Sequence, residues 1–119
     1  MSNAREQAVA GVFFALGDGT RLSVVQRLGT GGALSATALS GGAKVTRQAI
    51  VKHLQVLEGA GLVTHEKRGR EVLYALETRR LEQARAFLDR VSASWDRALD
   101  RLRILVEEPP HPPRKNEPR

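Results

Sequence analysis

The chain has 119 residues, enough for one domain, and 41% apolar with 27% charged residues is an ordinary globular mixture. It contains no apolar run near the ~18 residues of a membrane span and no secretory segment over residues 1–15, and the lack of cysteine excludes disulfides, thiolate metal sites and cysteine nucleophiles. Nineteen Lys and Arg against thirteen Asp and Glu leave +6, a balance that points to a polyanionic partner, nucleic acid above all.

Glycines break residues 1–70 into short pieces, whereas all five prolines fall at 109–118. Residues 1–108 are therefore expected to fold and residues 109–119 to form a Pro-rich disordered tail. From about Arg5 to Leu16, the spacing of Val9, Val12, Phe13 and Leu16 predicts a helix with one apolar stripe. Asp18 is placed to cap a second helix reaching Leu28, with Leu22, Val25 and Leu28 inward and Gly29–Gly32 as a loop. A short third helix is expected from Ser35 to Ser40, ended by Gly41-Gly42. Thr46 caps a fourth over Arg47 to Gly59, with Ile50, Leu54 and Leu57 inward and Gly61 as its stop.

The period then changes. Leu62–Glu66 and Glu71–Leu76 read as two strands of a hairpin, joined by Lys67-Arg68-Gly69-Arg70. A last helix is predicted from about Thr78 to Glu108, free of Gly and Pro. This order defines a mainly α (α+β) winged helix-turn-helix, with a β-hairpin wing and long N- and C-terminal helices for dimerisation.

In such a fold the reading helix presents its N-terminal outward side chains to base edges in the major groove. Those positions are Arg47, Gln48, Val51 and Lys52. Arg47 matches the two-point edge of guanine and Gln48 that of adenine, while an exposed Val51 suits a thymine methyl. Lys52 and the Thr46 hydroxyl are better placed for phosphates, and Lys67, Arg68 and Arg70 for the backbone or minor groove. Residues 44–70 carry a surplus of four positive charges and residues 78–108 a surplus of only one, so the charge concentrates on the reading helix and wing. His53 borders the buried face and fits two roles, a hydrogen-bonded anchor of the helix or a DNA contact. His65 reads as an edge-strand residue.

Leu81, Ala84, Leu88, Val91, Trp95, Ala98, Leu102 and Leu105 follow alternating spacings of three and four, an unbroken heptad seam. A helix roughly 45 Å long would overhang a domain of this size, leaving half the seam for a second chain. Phe87, Leu99 and Ile104 widen that surface, and the first helix with Phe13 and Phe14 adds to it. The expected product is a homodimer whose interface includes Val9, Phe13, Leu88, Val91, Trp95, Leu99 and Leu102. Two reading helices related by a twofold axis span half-sites about 34 Å apart.

Over about residues 9–106 the chain resembles the ArsR family of winged-helix transcriptional repressors. The resemblance lies in Phe14-Ala15-Leu16-Gly17-Asp18-Gly19-Thr20-Arg21 (the family's ALADPTR stretch), in residues 46–58 from Thr46-Arg47-Gln48 to Leu57-Glu58, and in Ala60-Gly61-Leu62-Val63 before the wing. It implies a homodimeric repressor of a double-stranded DNA operator, cytoplasmic and nucleoid-associated. Ser94-Trp95-Asp96-Arg97 further resembles a subgroup lacking metal-site cysteines and often encoded beside SRPBCC proteins. Val51 stands where the family usually has a serine, and Gly19 where it has proline. Metal-sensing members use cysteines, or His and Asp clusters on the last helix. Here His53, His65 and His111 all lie elsewhere, so neither metal nor cofactor is expected. Ser40, Ser92 and Ser94 have no histidine near them in the expected fold, so catalysis is not expected either. The competing reading is a winged-helix dimer that binds proteins rather than specific DNA.

Overall fold

In the computed structural model, which describes residues 3–41 and 44–107, the chain forms α1 (Ala4–Leu16), α2 (Gly19–Gly31), β1 (Leu34–Ser35), α3 (Ala36–Gly41), α4 (Arg47–Gly59), β2 (Val63–Arg68), β3 (Glu71–Leu76) and α5 (Thr78–Glu107). The order is that of a winged helix-turn-helix. Gly42, Glu108 and the expected Pro-rich tail lie outside the described residues. The chain divides into two compact units, one through Arg85 and one from Ala86.

The first unit holds the core. Val12 and Ala15 of α1, Leu28 of α2, Leu39 of α3, Ile50, Leu54 and Leu57 of α4, and Leu62 and Val63 are all buried in one cluster. The inward faces of α1 and α4 follow the expected spacing. That of α2 is rotated. Leu22 is 44% exposed and Val24, at 3%, takes the inward place beside Leu28. The helix also runs on to Gly31, through the segment expected as a loop. Gly29 and Gly31 lie beside the side chains of Leu76 and Leu34, where an added Cβ would make only ordinary contact, so the packing tolerates glycine there without requiring it. Tertiary packing overrides the poor helix propensity of glycine here.

Each junction has a local cause. The Asn3 carboxamide and Glu6 side chain form a capping box that starts α1. Asp18 Oδ2 accepts the Arg21 N–H at 3.0 Å, and Thr46 Oγ1 accepts the Ala49 N–H at 3.1 Å, the two caps expected from sequence. Gly61, at φ +79°, ends α4: its N–H donates to Glu58 O at 3.0 Å and the Leu62 N–H donates to Leu57 O at 3.0 Å. This paired pattern requires a left-handed residue and brings Leu62 onto Leu57 in the core.

The three-stranded antiparallel sheet has the order β1-β3-β2. Its first strand was not foreseen, since two residues carry no alternation. Leu34 pairs with Tyr74 and Ser35 with Leu73, which ties the start of α3 to the wing. The hairpin is tighter than the four-residue link expected. β2 continues through Arg68, which pairs with Glu71, so only Gly69 and Arg70 form the turn. Gly69 has the positive φ, 62°, that two-residue hairpin turns require at their first central position.

The second unit consists of the later turns of α5, whose apolar side chains stand largely uncovered in one chain. Leu88, Trp95, Leu99, Leu102 and Leu105 are 51–70% exposed. Val91 and Ala98 are half-buried. No single helix among the described residues is long and apolar enough to cross a membrane.

Candidate nucleic-acid interface

Burying Ile50, Leu54 and Leu57 turns the opposite face of α4 outward. Arg47, Gln48, Lys52 and Gln55 are exposed there, as are Thr46 and Lys44 ahead of the helix. Lys67, Arg68 and Arg70 are exposed at the wing tip. Of the two acids within residues 44–70, Glu66 pairs with Arg68 at 3.3 Å and Glu58 bonds the His65 ring at 2.7 Å. Lys44, Arg47, Lys52, Lys67 and Arg70 make no ion pair among the described residues. The result is an uncompensated basic surface on two separate elements.

Val51 departs from the sequence expectation. It is half-buried and packs on the core rather than standing exposed among polar neighbours. Its outer side lines a groove of about 320 Å³, together with Arg47, Ser35, Thr37, Arg70 and Tyr74. This groove was not legible in the sequence, because it needs the β1–β3 pairing to bring α3 beside the hairpin. Among the expected interface residues, Val9 is only 5% exposed and has little surface to offer a partner. The exposed aromatic of α1 is Phe14, at 73%, while Phe13 is half-buried against the core.

A polar junction ties α4 to the α1–α2 corner, and of its members only Asp18 and His53 are legible in the sequence. The Arg21 Nε–H donates to Ala15 O at 2.7 Å, closing a carbonyl at the end of α1. Its guanidinium also lies 3.5 Å from His53 Nδ1, which is 3.7 Å from Asp18 Oδ2. His53 thus joins α4 to the α1–α2 corner, in keeping with the anchoring role. Arg27 acts similarly one helix on, donating to Leu39 O at 2.6 Å and Ala38 O at 3.0 Å. These bonds hold α3 on α2. His65 lies on edge strand β2 as expected, and its ring also sits 5.8 Å from that of Tyr74.

This is the architecture of a winged helix-turn-helix DNA-binding domain. A helix-turn-helix domain model matches residues 16–66. An HTH-type transcriptional regulator of Mycobacterium tuberculosis is 38% identical over 93 residues, 78% of this chain and 83% of the relative. The structure is similar to that of an ArsR-like transcriptional regulator from Rhodococcus sp. RHA1, with a TM-score of 0.73 and 38% identity over 86% of this chain and 95% of that one. A homodimeric winged helix-turn-helix DNA-binding domain from Mycobacterium bovis shares the fold, with a TM-score of 0.58 and 23% identity over 84% of this chain and 93% of that one. The chain belongs to the ArsR family of winged-helix transcriptional regulators.

The junction at Asp18 has a pH signature. The Arg21 N–H, then the nearby His53 and Arg21 side chains and the Thr20 N–H, hold the Asp18 carboxyl below its ordinary 3.8, against a partial desolvation that raises it. A lowered folded-state value stabilises the fold fully above pH 3.8, and this stabilisation fades as pH falls through the lower value. The stability difference between the native chain and Asp18→Asn, which keeps a capping oxygen, is therefore expected to shrink below that pH in urea titrations. A difference constant with pH would contradict this account of the junction.

Proposed function

We propose that the protein is a homodimeric repressor that binds a palindromic operator through α4 and the wing. The uncompensated basic surface shared by these two elements is the observation that carries the reading. Gln48 and the adjoining residues Arg47 and Val51 face the major groove. Thr46, Lys52, Lys67, Arg68 and Arg70 engage the backbone beside it. His53 serves by holding α4 in place. The protein acts at chromosomal DNA in the cytoplasm.

Dimerisation supplies what one reading helix lacks, since a single short helix binds DNA weakly and with little selectivity. The seam through Leu88, Val91, Trp95 and Leu102, flanked by Leu99 and largely exposed, is long enough for knobs-into-holes packing with a second copy. Phe14 takes the place in that interface expected of Val9, next to Phe13. The Mycobacterium bovis domain of the same fold is itself homodimeric.

Two measurements test the proposal. On duplexes retained from genomic fragments, Gln48→Ala is expected to lose about 1–3 kcal/mol of preference at one base pair, whereas Arg68→Ala weakens all duplexes alike. Native affinity should fall steeply between about 50 and 200 mM salt. Affinity flat with salt and indifferent to sequence would favour a protein-binding module instead. For the dimer, Trp95→Ala is expected to cost about 2 kcal/mol or more and to lower the mass in light scattering at micromolar concentration to that of one 13.0 kDa chain. An unchanged mass would refute the seam.

A further inference from the structure

The groove beside the hairpin is lined by side chains of β1, α3, α4 and the wing. Arg47 comes from the first turn of α4 and Arg70 from the hairpin turn, and both line the same space. Neither guanidinium makes a side-chain hydrogen bond or ion pair among the described residues. Ser35 Oγ accepts the Ala38 N–H at 3.1 Å, which leaves its hydroxyl hydrogen to donate. Thr37 and Tyr74 bring two further hydroxyls, while Val51 and Val72 give the groove an apolar side. The lining has one acid, Glu71.

We propose that this groove seats one phosphodiester of the operator backbone, gripped jointly by Arg47 and Arg70. The assignment rests on the DNA-binding reading above and deepens it. Two cations from separate elements that line one groove with three hydroxyl-bearing side chains suit an anion that bears several acceptor oxygens. The apolar side suits the adjoining deoxyribose. A backbone strand leaving the major groove at α4 for the minor groove beneath the wing must pass between these two elements. Arg47 then fixes register and reads no base, so selectivity falls to Gln48 and its neighbours further along α4. Glu71 opposes the anion and limits affinity.

The experiment uses the full chain and a retained genomic duplex in which single phosphates are replaced by uncharged methylphosphonates. One position per half-site is expected to weaken native binding about tenfold and to have little further effect on Arg47→Ala or Arg70→Ala. Each of these variants should weaken the retained and a scrambled duplex by the same factor and lower the salt slope by about one. Glu71→Gln should tighten both duplexes about two- to fivefold. All three substitutions are at exposed positions, and circular dichroism melts of each variant check that it folds. A shift in the preferred base with Arg47→Ala would overturn the assignment. So would the absence of any phosphate coupled to both arginines. Displacement of DNA from the native chain but not from Arg47→Ala by inorganic phosphate, at fixed ionic strength, would give the groove to a small anion instead. A native chain that retains no duplex would contradict the function itself, a result distinct from any of these.

Discussion

Burial of Ile50, Leu54 and Leu57 along one side of α4 decides what the rest of that helix can do. With these three side chains 0–1% exposed, the helix cannot rotate without bringing Gln48 or Lys52 into the core, at a cost no local contact offsets. The outward face is therefore set by hydrophobic packing, not by any polar contact that it makes. Gly61 and the Thr46 cap then limit the helix to thirteen residues, so its charged N-terminal end is a tip rather than the middle of a longer rod.

Polar contacts refine that placement. Arg21 closes the end of α1, and His53 connects α4 to the same corner, while Arg27 seats α3. Each replaces solvent at backbone carbonyls or ring nitrogens that the corner partly encloses. The division of labour follows: apolar residues choose the face, buffered polar junctions set the angle, and the unpaired cations on α4 and the wing remain for a polyanion.

Much of this was legible in the sequence because its signals were local. The 3.6-residue spacing of α1 and α4, the Asp18 and Thr46 caps, and the glycine stop after α4 each depend on a few neighbouring residues. The exceptions depended on distant ones. The rotation of α2 toward Val24, its continuation through Gly29 and Gly31, and the strand Leu34–Ser35 all require β3 to be in place. For the same reason Val51 looked like an exposed apolar tip, although the assembled core half-buries it. Val9 lies on the inner side of the α1 stripe, whereas Phe14, 100° of rotation on from Phe13, stands outside it. The cations of the candidate site could be read directly. The groove that brings Arg47 and Arg70 together could not.

Hydroxyl-radical footprinting of the full chain on a retained genomic duplex tests the central claim, that paired copies hold two α4 tips against one face of DNA. The expected result is two protected backbone patches about 10 base pairs apart, related by a dyad, at two chains per site. One protected patch at saturation, or two without dyad symmetry, would contradict it.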